Sequence, residues 1–183
     1  MQRFPLREAV LFVLLVGIAV LSRLLPHAPN FTAIMAVGLL AAVVFPSRIL
    51  AAAVPMTAMV ISDAFIGGYD ARLMLAVYGA MVLPLVMRPL LSGRMMPLRV
   101  AGASVVCSVA FFVITNAAVW AFGSMYELSA TGFAACFAAA VPFLKYQLAG
   151  DLSYSLALFG FAAAVRGMMA SETPGLAKHA AAA

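Results

Sequence analysis

The sequence has very little charge. Only 9% of its 183 residues are Asp, Glu, Lys or Arg, whereas a soluble domain carries about a quarter. Hydrophobic residues make up 66% of the chain. A soluble core cannot bury so much apolar surface in a chain of this length, so lipid has to surround part of it. The composition therefore excludes a soluble domain and predicts an integral membrane protein.

Residues that carry catalytic or metal chemistry are also scarce. Cys107 and Cys136 lie in apolar runs without C-x-x-C spacing and are predicted to act as small buried hydrophobes. His27 and His179 are far apart and form no metal motif. The sequence contains no P-loop, no H-E-x-x-H and no G-x-S-x-G. We therefore expect no metal, no cofactor and no enzymatic activity.

What the chain does contain is a series of apolar runs. At roughly 20 residues per span, its length accommodates about six transmembrane helices. The prediction is an all-α membrane protein, a six-transmembrane-helix bundle over residues 1–170, followed by a disordered cytoplasmic tail over 171–183. The predicted spans cover residues 8–25, 31–45, 49–66, 73–91, 100–122 and 150–169.

The apolar stretch 133–148 is harder to interpret, because Pro142 interrupts it and it ends around Lys145. We predict an extra interfacial helix here, lying on the outer face before the last span. A seven-span chain, in which 133–148 crosses the membrane by itself, is the alternative.

The distribution of Lys and Arg predicts the orientation. With six spans and the N-terminus inside, eight of the eleven basic residues fall on the cytoplasmic side, as the positive-inside rule requires. The outer three are Arg23, Arg72 and Lys145. We therefore expect a multi-pass protein of the bacterial inner membrane with both termini in the cytoplasm.

Charged and polar residues in or beside spans are costly, so they are candidates for function. Most of them map to the outer third of the predicted bundle, and there they suit capture of a polar small molecule from outside. Trp120 would stack on a flat ring, Arg23 would contact an anionic group, and Asn116 would donate and accept hydrogen bonds. The predicted substrate-binding residues are Arg23, Asn30, Asp63, Asn116, Trp120 and Asp151.

Structural roles for the same residues stay open. Arg23 can extend to the membrane interface or pair with Asp63, and Asp151 can cap the N-terminus of span six. Trp120 can belong to an interfacial aromatic belt.

Four segments occur in an order that resembles a bacterial family of uncharacterised integral membrane proteins. The family outline reads R-x-x-P-H-x-P-N-F-T, S-D, I-T-N-x-x-x-W, P-F and G-D. The matching segments are RLLPHAPNFTAIMAVGL at 23–39, ISDAFIGGYD at 61–70, FFVITNAAVWAFG at 111–123 and AAVPFLKYQLAGDLSYSLALFG at 139–160.

The layout is similar to that of the substrate-binding (S) components of energy-coupling-factor (ECF) vitamin transporters. That resemblance implies six helices, a vitamin-like ligand bound near the outer face, and either a shared ATPase module or solitary action. Span one lacks the small-x-x-x-small stripe of S components that dock a module, since Ala9 is followed four residues later by Val13. A different partner therefore stays open.

The expected function is capture and transport of a vitamin-like small molecule. One alternative is an accessory structural subunit of a larger membrane complex, which would use the small residues of spans two and three as an interface. Another is an intramembrane enzyme acting on a lipid or isoprenoid, which would need a base or a metal site; loss of activity on changing both Asp63 and Asp151 would favour it. No nucleic-acid partner is expected.

Overall fold

A computed structural model describes residues 6–92 and 96–180, with side chains described as far as Met169. Within those ranges all of the regular secondary structure is helical. The helices are α1 (Leu6–Leu24), α2 (Ile34–Val44), α3 (Arg48–Ile66), α4 (Ala71–Ala80), α5 (Leu83–Val86), α6 (Arg88–Leu91), α7 (Pro97–Phe122) and α8 (Ala130–Ala180).

Four helical stretches are long and apolar enough to cross a membrane, which is consistent with a membrane protein. They are Arg48–Ile66, Ala71–Leu91, Pro97–Phe122 and Ala130–Met169. α1 has 19 residues but carries Arg7, Glu8 and Arg23 near its ends, and α2 has only 11 residues. The six-span layout therefore stays a prediction.

The short helix α2 forms the centre of the molecule. Every residue from Ile34 to Ala42 is buried, as expected for a helix that is apolar on all sides, and α2 packs against α1, α3, α5, α7 and α8. Gly38 allows one of these contacts, since a Cβ there would lie 2.9 Å from Pro84 Cγ. At 1.5 Å per residue, α2 covers about 16 Å, roughly half of a hydrocarbon core.

The stretch predicted as span four is divided into three short helices. α4, α5 and α6 are separated at Met81–Val82 and at Met87, and Pro84 and Pro89 stand in the first turns of α5 and α6. Proline lacks an N–H and fits the first turn of a helix, so each one starts a new segment. Taken together, Ala71–Leu91 is still long and apolar enough to span a membrane.

α7 and α8 form a long antiparallel pair, and this corrects the prediction for 133–148. Ring centroids of Trp120 and Phe133 are 5.3 Å apart, and towards the other end Ser155 Oγ donates to Ser104 Oγ at 3.4 Å. Residues 133–148 and 150–169 belong to one helix, so both the separate interfacial helix and the seven-span alternative are wrong. Pro142 removes one backbone hydrogen bond, while packing along α7 supports the helix on both sides of it.

The tail predicted to be disordered, 171–183, is described only in its backbone and only as far as Ala180. Its side chains and the whole of 181–183 are not described, while the helix assignment of α8 extends to Ala180. The disordered cytoplasmic tail stays a prediction.

Candidate functional site

A cavity of about 330 Å³ lies beside the N-terminal end of α2. Because α2 is short, the helices around it leave space at this end, and Asn30 and Thr32 of the 25–33 loop border that space. Side chains from α1, α2, α3, α4, α7 and α8 and from the loops at 30–32 and 69 line the cavity. The polar ones are Arg23, Asn30, Thr32, Tyr69, Thr115, Asn116, Gln147 and Asp151.

Arg23 forms one polar wall together with a face of α3. Its Nη1 lies 2.8 Å from Asp63 Oδ1 and also donates to Ser62 Oγ and to Met59 Sδ. Met59, Ser62 and Asp63 can all reach Arg23 because residues three and four apart share a helix face. The alternative that Arg23 pairs with Asp63 is therefore confirmed.

Asp63 lies behind Arg23 rather than on the cavity surface. Its Oδ2 accepts a hydrogen bond of 2.9 Å from the Tyr78 hydroxyl. Its Oδ1 is within ion-pair distance of Arg23 but off the hydrogen-bond direction. Asp63 thus compensates the charge of Arg23 and holds the guanidinium at the cavity wall.

Asp151 on α8 forms a second polar wall. Its side chain is only 3% exposed and accepts a hydrogen bond from Ser108 Oγ. One turn earlier, Gln147 donates to the Ser108 carbonyl at 2.9 Å. No basic side chain of the described residues forms an ion pair with Asp151. The alternative that Asp151 caps the start of a helix is wrong, since α8 begins at Ala130.

The loop before α2 brings Asn30 and Thr32 to the cavity. Asn30 has a φ of 61°, a left-handed conformation that asparagine tolerates better than most residues. The loop rests on Gly150 of α8, where a Cβ would lie 3.0 Å from Phe31 Cα. Ser22 Oγ accepts from Ala33 N at 2.9 Å and ties the end of the loop to α1.

Aromatic side chains provide the apolar surface. Phe111 and Phe112 come from α7, Phe143 from α8, and Tyr69 from the turn between α3 and α4. Partial burial, and then the negative charge of Asp63, raise the pKa of Tyr69 above its ordinary value. The phenol therefore stays protonated at neutral pH and is available as a hydrogen-bond donor.

Trp120 does not line the cavity. Its Nε1 donates to the Glu127 carbonyl at 3.0 Å, and its ring packs perpendicular to the ring of Phe133. Asn116, one turn earlier on α7, does line the cavity while its Nδ2 donates to the Phe112 carbonyl at 2.8 Å. Asn116 and Trp120 are four residues apart and so share a face of α7, but the cavity ends before it reaches Trp120.

Four of the six predicted residues therefore meet at one cavity: Arg23, Asn30, Asn116 and Asp151. The lining also includes Gln147, Tyr69, Thr115 and Phe143, which were not among the predicted site residues. Gln147 stands four residues before Asp151, a spacing that places both on one helix face. Assigning 133–148 to a separate surface helix concealed that signal. Within the described side chains no group of three or more His, Cys, Asp or Glu residues is placed to hold a metal ion.

The family comparison covers nearly the whole chain. The model of the "Family of unknown function (DUF6580)" matches residues 4–173. This chain belongs to that family. The matched region includes both walls of the cavity, so the cavity is built within the family domain. No curated protein and no solved structure matches the chain.

Proposed function

We propose that this protein is a membrane-embedded binding or transport protein that takes up a small polar molecule with a flat ring. The observation that carries the proposal is the buried Asp151 carboxylate, which faces a 330 Å³ cavity without a basic partner among the described residues. Ligand sites are concave, largely apolar and about 300–1,000 Å³ in volume, with a few convergent polar groups. This cavity is at the small end of that range, the size class of vitamin-like molecules.

The lining suggests the chemistry of the ligand. A carboxylate buried within a membrane domain is costly unless it is neutralised or paired, so a cationic or strongly donating group of the ligand would point towards Asp151. Asn30, Thr115 and Asn116 would bind further polar atoms of the ligand. Phe111, Phe112 and Phe143 would contact the faces and edges of its ring.

The surrounding layout is part of the same proposal. Six membrane crossings, counting α1 and α2, would put the cavity at the outer end of the bundle and both termini in the cytoplasm, in the bacterial inner membrane. The Lys and Arg bias supports this orientation. A ligand site at the outer end would also agree with an arrangement like that of ECF S components. Such a protein would act with an ATPase module or without one.

The direct test is mass spectrometry of small molecules that co-purify with the protein in mild detergent. We expect a stoichiometric metabolite with the wild-type protein and at least tenfold less with Asp151→Asn, in which the hydrogen bond from Ser108 Oγ can persist while the charge is lost. Trp120→Phe is the matched control, because Trp120 lies outside the cavity, and it should retain the metabolite.

Two results would contradict the proposal. One is a metabolite that Asp151→Asn retains in full. The other is a wild-type protein purified from rich medium that holds no metabolite and instead co-purifies with another membrane complex, which would favour the accessory-subunit alternative.

A further inference from the structure

A second cavity of about 640 Å³ opens at the other end of the bundle, between the first half of α1, the end of α2 and the last described part of α8. We call it the inner groove. The described side chains of its walls are almost entirely aliphatic and aromatic, and the charged ones among them stand at one end. The residues that matter for its chemistry are Arg7, Glu8, Leu14, Ile18, Phe161 and Arg166.

The length of the inner groove matches one leaflet of a bilayer. From Arg7 to Ile18, α1 rises about 16 Å at 1.5 Å per residue. The hydrocarbon core of a bilayer is about 30 Å thick, so one leaflet contributes about 15 Å. An acyl chain that starts level with Arg7 would therefore end near Ile18, at the middle of the membrane.

The charges of the inner groove are gathered where a lipid headgroup would lie. α1 and α8 run antiparallel here, since Arg23 and Asp151 share the first cavity while Arg7 and Arg166 share the second. Arg7 and Arg166 are exposed, and neither forms an ion pair with another described side chain. Among the described residues of the lining, Glu8 is the one acidic side chain, so the charges of Arg7, Glu8 and Arg166 sum to a net positive charge.

We propose that the inner groove binds an anionic glycerophospholipid of the cytoplasmic leaflet. Guanidinium groups bind phosphate through paired hydrogen bonds, so Arg7 and Arg166 would hold the headgroup phosphate. Leu14, Ile18 and Phe161 would contact an acyl chain. The lipid would thereby join α1 to α8 at the end of the bundle opposite the ligand cavity. This inference does not depend on what the first cavity binds.

The test compares lipids retained by the purified protein. The protein is reconstituted into nanodiscs of equal phosphatidylglycerol and phosphatidylcholine, extracted with mild detergent and analysed by native mass spectrometry. We expect the wild-type protein to keep phosphatidylglycerol in preference to phosphatidylcholine. Arg7→Gln with Arg166→Gln should weaken that retention roughly tenfold or more, because each arginine near a headgroup contributes to anionic lipid binding.

Two further variants separate this site from general electrostatics. Arg48→Gln with Arg99→Gln removes the same number of exposed arginines outside the groove and should leave retention unchanged. Leu14→Trp, at an exposed position in the groove wall, should reduce retention of both lipids by filling the chain site. The proposal is overturned if the wild-type protein keeps both lipids equally, if the two arginine pairs have equal effects, or if a second polypeptide occupies the groove.

Discussion

Arg23 Nη1 on α1 lies 2.8 Å from Asp63 Oδ1 on α3, and both side chains are largely buried. The Tyr78 hydroxyl completes the arrangement by donating to the other carboxylate oxygen. The cavity between the helices is therefore bordered by one compensated charge pair and by one carboxylate, Asp151, without such a partner among the described residues.

Removing one partner of the Arg23–Asp63 pair should lower the free energy of unfolding more than replacing both partners with apolar residues. Asp63→Leu leaves a buried guanidinium uncompensated, and loss of one partner of a buried pair costs about 3–5 kcal/mol. Replacing both partners, with Arg23→Met and Asp63→Leu, should recover most of that loss because no unpaired charge remains. Thermal unfolding in detergent measures both variants. A double variant no more stable than Asp63→Leu would show that the pair is not the source of the effect.

Asp151 should make the cavity bind cationic ligands more tightly than neutral ligands of the same shape. With a co-purified metabolite or an analogue set in hand, Asp151→Asn should weaken binding of cationic members by about tenfold or more, since a paired buried charge contributes more than about 1.4 kcal/mol. Neutral members of matched shape should bind the variant about as well as they bind the wild-type protein. Calorimetric titration of both sets measures this. Equal weakening of both sets would indicate that Asp151 only supports the packing of α8 on α7.

Gly150 should be required for the loop that carries Asn30. A methyl group there would lie 3.0 Å from Phe31 Cα and 3.2 Å from Thr32 N, so Gly150→Ala forces the loop away from α8. We expect a cost of about 1–3 kcal/mol together with weaker ligand binding, measured by thermal unfolding and titration.

Gly160→Ala is the matched control for that change. It lies on the same helix, and a Cβ there meets nothing within 4 Å. Alanine is the better helix former by about 1 kcal/mol, so this variant should be neutral or more stable. If both variants behave alike, the close approach of Gly150 to the loop has no energetic importance.

Asp70 should make the start of α4 sensitive to acid. It caps the helix by accepting from Arg72 N at 2.8 Å, and it pairs with the Arg72 side chain. The Arg72 side-chain hydrogen bond, followed by its backbone hydrogen bond, lowers the pKa of Asp70 below its ordinary 3.8. Because the pKa of Asp70 is lower in the folded state, its carboxylate contributes fully to the free energy of unfolding at pH values above the ordinary pKa of 3.8. That contribution is lost as the pH falls through the pKa of the folded state.

Asp70→Asn tests this expectation, because asparagine can still cap the helix while the charge is removed. At pH 7 the variant should unfold at a lower temperature than the wild-type protein. This difference in unfolding temperature should disappear at a pH below the pKa of Asp70 in the folded state. Glu127→Gln, which removes an exposed carboxylate without an ion pair to any described residue, should show no such trend. A difference for Asp70→Asn that is constant with pH would contradict the assignment.

Local patterns were sufficient for much of the fold. The apolar runs predicted helices close to α1, α2, α3 and α7, and the Pro46-Ser47 and Gly67–Asp70 breaks occur where α3 begins and where it ends. Ser47 caps α3 through Leu50 N, and Asp70 caps α4. Such signals involve residues only a few positions apart, so they can be read from the chain directly.

The composition and the apolar runs predicted helices that are apolar enough to cross a membrane, and they predicted a gathering of polar residues towards one end of the bundle. Packing between distant parts of the chain was needed to show that α8 is continuous through Pro142, that Gln147 joins Asp151 at the cavity, and that the Trp120 side chain contacts Glu127 and Phe133 instead. Apolar character and helix period are properties of neighbouring residues. Which side chains share a cavity depends on the length of α2 and on how α7 packs along α8, and those are contacts between residues distant in the chain.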